Sequence, residues 1–152
     1  MAGFCSEIHR LSHELHPAIL EQLGLVTAVR AICTEVEATH DVRISFKANN
    51  VPKSLPNDVS LSLYRIVQES LQNVVKHSAA AHAEVQLSTD GEKLSLKISD
   101  DGCGFDPGAS AGQASLGFIG MRERMRLLNG DFLVTSTVGS GTLIEAVVPF
   151  KT

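Results

Sequence analysis

The chain has 152 residues, 43% hydrophobic and 20% charged, a balance that suits one globular domain able to fold without disulfide or metal. Its 17 acidic and 13 basic side chains give a formal charge of -4, which argues against a duplex nucleic-acid binder, and with no Trp and one Tyr it has little to stack on single strands. No apolar run approaches the roughly 20 residues that cross a bilayer, and Met1–Cys5 lacks the basic start of a secretion signal.

From Phe4 to His40 the spacing predicts helix in two or three pieces. Leu11, Leu15 and Ile19, then Leu25, Val29, Ile32 and Val36, recur at three and four residues. Pro17 interrupts or restarts that helix, and Gly24 marks a second bend. Val42, Ile44 and Phe46 alternate with polar residues as a strand, and 49–56 reads as a loop. Asn57 or Asp58 caps a long helix to about Lys76, with a core stripe of Leu61, Tyr64, Leu71 and Val75. Two alternating runs, 83–88 and 94–98, flank Asp90-Gly91, a two-residue turn signal. Residues 107–115 are small, polar and glycine-containing, and are expected to be a mobile loop. Residues 121–128 read as a helix ended by Asn129-Gly130. Phe132 and Val134 mark a strand, Gly139-Ser140-Gly141 a turn, and 143–148 a last strand. This order of elements predicts an α+β fold, a mixed sheet with helices on one face.

Cys5, Cys33 and Cys103 are far apart, odd in number and form no CxxC. A disulfide framework or a four-ligand zinc site is not expected, and a reducing cytosol is the simplest compartment. Cys103 reads as a small filler. His9, His13 and His16 fall on one helix face, but His13 and His16 are one residue short of HExxH spacing, so a solvated surface is the simpler account.

Four segments carry candidate chemistry. On the long helix, Glu69, Asn73 and His77 recur at i, i+4 and i+8 and share a face. A carboxylate and an amide oxygen one turn apart suit magnesium and its waters, and Lys76 suits a phosphate; a solvated polar face accounts for the same pattern. Asp100-Asp101-Gly102-Cys103-Gly104-Phe105 stands at a strand end. A carboxylate there can accept from an exocyclic amine, and glycines admit a ligand close to the backbone; a capped tight turn is the plain alternative. Gly112 to Arg124 reads as a glycine-containing loop entering a helix, which offers backbone N–H groups to phosphate. No Gly-Lys-Ser/Thr follows, so it is not a Walker A loop, and helix capping explains it equally. Gly139-Ser140-Gly141-Thr142 is either a pocket wall or an ordinary hairpin turn.

Taken together and in this order, the segments are specific. YRIVQESLQNVVKHS (Tyr64–Ser78), DDGCGFD (Asp100–Asp106), LGFIGMRERM (Leu116–Met125) and GSGTLIEAVVP (Gly139–Pro149) resemble the ATP-binding domain of sensor histidine kinases, most of all the nitrate-sensor-like subfamily. That domain lies within the superfamily of gyrase, heat-shock chaperone and mismatch-repair ATPases. The resemblance runs from about Leu15 to Pro149. It implies a two-layer α/β sandwich of the Bergerat type with a mixed, mostly antiparallel sheet, and ATP with magnesium as cofactors. By the same resemblance Asn73 binds magnesium, and Glu69 supports the metal or acts as base. Lys76 meets a phosphate, and His77 packs by the adenine or ribose. Asp100 accepts the adenine amine, while Gly102 and Gly104 open the pocket wall. Gly117 and Gly120 carry phosphate-facing backbone, Thr142 closes the adenine side, and 107–115 form a lid.

The sequence departs from that family in two places. Ala114-Ser115 stands where the phosphate loop often carries another glycine, which bears on the lid's contacts. Glu14-Leu15-His16-Pro17 imitates the subfamily's acceptor pattern, but Pro replaces Asp. Ser12-His13-Glu14-Leu15 imitates the histidine box of the larger subfamily. In both cases the histidine stands about sixty residues from Asn73, too few for a two-helix dimerisation hairpin. Leu15-His16-Pro17 and Leu23-Gly24-Leu25 instead match the end of that hairpin. The resemblance therefore implies the end of a dimerisation helix and connector over 1–24 and a catalytic domain over 25–152, without the acceptor histidine. Such a kinase passes the ATP γ-phosphate to a histidine, then to an aspartate of a response regulator. Its partners would be that regulator and a second copy of the parent protein, with no nucleic acid and no direct membrane contact, in the cytoplasm. An anti-sigma-factor-like serine kinase and a non-catalytic nucleotide-sensing module are the alternatives.

Overall fold

The computed structural model describes residues 18–106 and 113–150. Leu11, Leu15, the histidines before Pro17, and residues 107–112 lie outside these. Residues 18–23 are helical, and Gly24, at φ 92°, breaks the helix before α1 (Leu25–Thr39). The bend at Gly24 is as the sequence predicts.

After α1 come β1 (Arg43–Asn49), α2 (Asn57–Asn73) with a π-helical extension over Val74–Ser78, β2 (His82–Thr89) and β3 (Lys93–Asp100). Then follow α3 (Gln113–Leu127), β4 (Asp131–Ser136) and β5 (Thr142–Pro149). The five strands form one sheet in the order β1-β2-β3-β5-β4. Only β1 and β2 run parallel, and α2 supplies the crossover that a parallel pair requires. The other pairs are antiparallel. The sheet is thus mixed and mostly antiparallel, as expected.

Alternation sets the two faces. Val85, Leu87, Leu94, Leu96, Ile98, Ala146 and Val148 are buried against the helices, while Lys47, Lys97 and Lys93 between them face outward. Val29, Leu63, Tyr64, Val67 and Met125 complete the core from the helical layer. The architecture is a two-layer α+β sandwich.

Several local expectations need correction. Pro56 precedes α2 and no side chain caps it. Leu61 is 39% exposed, whereas Leu63, absent from the expected stripe, is 1% exposed. The β2–β3 turn has two central residues, but they are Gly91-Glu92: the Asp90 N–H donates to the Lys93 carbonyl at 3.3 Å, and its carboxylate accepts the N–H groups of Glu92 (2.9 Å) and Lys93 (2.8 Å). The helix predicted from Met121 begins at Gln113, so Gly117 and Gly120 are helical rather than in a loop. Its end is as expected: Asn129 is left-handed, and Gly130 N–H donates to the Met125 carbonyl at 2.7 Å.

Candidate functional site

One row of residues crosses the helix-facing side of all five strands: Ile44, Ala83, Asp100, Thr142 and Ser136. The next row is Phe46, Val85, Ile98, Ile144 and Val134, wholly apolar. Pattern alone would put apolar side chains at both levels. Instead the last three strands carry a carboxylate and two hydroxyls into the layer between sheet and helices. Polar groups in such a place need partners.

Above this row lies a cavity of about 130 Å³. Ser70, Asn73 and His77 line it from α2 and its extension, and Gly104 and Phe105 from the loop after β3. Phe118 lines it from α3, and Asp100, Thr142 and Ile144 from the sheet. All four candidate segments therefore reach toward one cavity, three of them through residues named for it. A larger groove of about 590 Å³ opens on the bare face of the sheet between Arg43, Ser45, His82 and Glu84. It is open, and half of its walls are exposed side chains, so it lacks the enclosure that binds a small molecule.

The side-chain amide nitrogen of Asn73 is buried without a partner. A buried donor in that condition costs about 1–3 kcal/mol, which a ligand acceptor would offset. Just beyond it, α2 widens into a π turn carrying Lys76 and His77, closed by Ala79 in the left-handed region at φ 53°. Such turns concentrate at functional sites. His77 reaches the cavity; Lys76 is exposed on the same turn and is not part of its wall. The Cys103 thiol is exposed and donates to the His77 carbonyl at 3.4 Å, so Cys103 tethers the π turn rather than filling space.

Asp100 Oδ1 accepts the Gly102 N–H at 2.8 Å. Burial raises its pKa above the usual aspartate value. The Gly102 N–H opposes that shift, and the charge of Asp101 adds to it. Asp101 points the other way. It accepts the N–H groups of Ala81 (3.0 Å) and His82 (2.9 Å) and meets His82 Nδ1 at 3.0 Å, and these bonds, those of His82 first, lower its pKa. The two adjacent aspartates thus divide between ligand space and structure.

Gly102 is buried in this loop. Gly104 and Gly141 have φ of 64° and 83°, and a Cβ on either would overlap backbone, the Thr137 carbonyl and the Asp100 carbonyl respectively. The loop after β3 and the β4–β5 turn therefore interlock, and Gly139 N–H donates to the Cys103 carbonyl at 2.6 Å. Glu69 does not line the cavity. Its Oε1 lies 2.6 Å from where a Cβ on Gly117 would stand, so Gly117 gives the carboxylate its space. Gly120 has open space around it.

Sequence reasoning missed Ser70, Phe105, Phe118 and Ser136. Phe105 and Phe118 stack with centroids 5.4 Å apart. Ser136 stood at an inward position of an alternating strand, where a polar residue is itself a signal. Among the described residues no group of three or more His, Cys, Asp or Glu side chains is placed to hold a metal. The Asn73 amide and the Glu69 carboxylate, one turn apart, are hard oxygen donors, a set that fits a magnesium ion drawing its other ligands from phosphate and water.

A family model described as histidine kinase-, DNA gyrase B- and HSP90-like ATPase matches residues 58–152. Sensor histidine kinase MctS of Rhizobium johnstonii is 34% identical over 149 residues, covering 97% of this chain and 32% of that protein. Oxygen sensor histidine kinase NreB of Staphylococcus carnosus is 31% identical over 98% of this chain and 43% of its own length. DegS of Brevibacillus brevis, a signal transduction histidine-protein kinase/phosphatase, is 31% identical over 97% and 38%. The chain thus spans less than half the length of these relatives. Among solved structures, full-length ShkA in complex with AMPPNP aligns with a TM-score of 0.68 at 22% identity, over 91% of this chain and 34% of that one. The histidine kinase domain of the Erythrobacter litoralis EL346 blue-light activated kinase aligns at 0.64 and 21%, over 82% and 60%. These two likenesses concern the fold.

Proposed function

The chain belongs to the histidine kinase-, DNA gyrase B- and HSP90-like ATPase family, and from that premise we propose that it is the ATP-binding catalytic domain of a sensor histidine kinase. Membership implies ATP binding. The observation that supports the site is the pair Asp100–Thr142 lining one cavity with the unpartnered Asn73 amide.

In this reading the ionised Asp100 accepts the adenine amine, and Thr142 serves the ring edge beside it. Gly102 and Gly104 keep the wall thin, and His77 packs against base or ribose. Asn73 and Glu69 hold magnesium, which neutralises phosphate charge when bound. Lys76 meets a phosphate from the π turn. Gly117 and Gly120 let the start of α3 approach the phosphates closely. Phosphoryl transfer needs positioning and charge neutralisation above all, and these residues are suited to both. The acceptor is a histidine supplied on a dimerisation hairpin, and the phosphoryl group then passes to a response-regulator aspartate. Residues 1–24 are the end of that hairpin and its connector, 25–152 the catalytic domain. The parent protein works as a homodimer with this domain in the cytoplasm. No helix among the described residues is long and apolar enough to cross a membrane.

Calorimetric titration with Mg-ATP tests the pocket. The parent chain is expected to bind, with magnesium required, and Asp100→Asn to bind about ten- to a hundredfold more weakly, the worth of a charge-assisted hydrogen bond. Folded parent chain that takes up no Mg-ATP would leave these residues as architecture. Given binding, labelling of an added histidine hairpin by γ-labelled ATP separates a histidine kinase from a serine kinase or a non-catalytic module.

A further inference from the structure

The Ser136 hydroxyl is buried behind the pocket wall, outside the cavity itself. It lies 2.9 Å from the Phe105 N–H, 3.1 Å from the Gly141 carbonyl and 2.9 Å from Thr142 Oγ1. It touches both wall segments on the base side: the loop after β3 through Phe105, and β5 through Thr142. A hydroxyl has one proton and two lone pairs. One lone pair takes the Phe105 N–H. The proton then goes either to the Gly141 carbonyl or to Thr142 Oγ1.

The choice decides what Thr142 shows the cavity. With the Ser136 proton on Gly141, Thr142 donates back to Ser136 and presents only lone pairs. With the Ser136 proton on Thr142, the Thr142 proton is free to point into the cavity. The edge of adenine beside its amine is a ring nitrogen, an acceptor. A base whose amine meets Asp100 therefore needs the second arrangement.

We propose that Ser136 is a positioning residue for nucleotide binding: its hydroxyl, donating to Thr142 Oγ1, orients the Thr142 proton toward the ring nitrogen, and it holds Phe105 in the same wall. This rests on the reading of the cavity as an ATP pocket. The larger part of this action runs through Thr142, so the two residues are energetically coupled.

A double-mutant cycle with Mg-ATP affinity as readout tests the coupling. Ser136→Ala in the parent chain is expected to weaken binding about fivefold, the worth of one neutral hydrogen bond. In a Thr142→Val background the same change is expected to weaken it by less than about twofold. An equal loss in both backgrounds would make Ser136 structural only and overturn the proposal. Failure of the folded parent chain to bind Mg-ATP would instead overturn the ATP-pocket reading and this inference with it. Should the alanine variant not fold, Ser136→Cys keeps the volume and exchanges the hydroxyl for a weak donor, and its cycle is read the same way.

Discussion

Asp100 occupies a core-facing position between Ala83 and Thr142, where its burial raises the carboxyl pKa above the ordinary 3.8. Between the ordinary value and the raised one, the folded chain keeps the proton that the unfolded chain has lost. Folding stability therefore falls as pH rises through that window, and at neutral pH the ionised group weighs against the empty fold. A bound amine offsets this. Asp100→Asn is thus expected to show, at pH 7 without nucleotide, a thermal midpoint equal to or above that of the parent, alongside its weaker Mg-ATP binding. Scanning calorimetry of the two proteins checks it. A midpoint several degrees lower would show that the bond from Gly102 to the carboxylate holds the turn more than burial strains it.

At the level of elements, α2 shows how far alternation and spacing carry. Its existence, its length to Asn73 and the placing of Asn73 and His77 on the pocket side follow from the period of the sequence. The face was assigned too narrowly: Leu63 packs in the core and Leu61 stands at its margin. Leu63→Ala is accordingly expected to cost about 2–5 kcal/mol in urea unfolding, and Leu61→Ala under about 1 kcal/mol. Equal losses would contradict the burial of this face. The change to π pitch at Val74 was not legible, because it depends on what the last turn packs against and on the tether from Cys103. The early start of α3 was hidden for another reason. Gly117 and Gly120 each lower helix propensity by about 1 kcal/mol relative to Ala, so local preference reads as loop where the structure continues the helix. The strands were read well because half-buried alternation is the strongest local signal. Ser136 left a signal, a polar residue at an inward strand position, but its partners Thr142 and Phe105 come from β5 and the loop after β3, which no single segment reveals.

For the whole molecule, the cavity is the place where distant parts of the chain meet. Asn73 and His77 come from the α2 end, Asp100 and Phe105 from β3 and its loop, Phe118 from α3 and Thr142 from β5. In the empty fold this junction holds an unpartnered amide and a carboxylate strained by burial. A ligand that satisfies both ties the crossover helix, the central strands and α3 together, and it can do so only in the folded chain. Binding to the native state alone adds about 2.7 kcal/mol at ligand a hundredfold above its dissociation constant. For a chain of this size that is a rise of roughly 5–10 °C in thermal midpoint. Mg-ATP is expected to give that rise in the parent chain, and the same concentration to give about half of it or less in Asp100→Asn. The base should matter as much as the phosphates: Asp100 accepts hydrogen bonds and cannot donate to the carbonyl that guanine presents, so Mg-GTP is expected to shift the midpoint far less. Equal shifts with both nucleotides would mean that the phosphates alone hold the ligand and that the polar row of the sheet does not read the base.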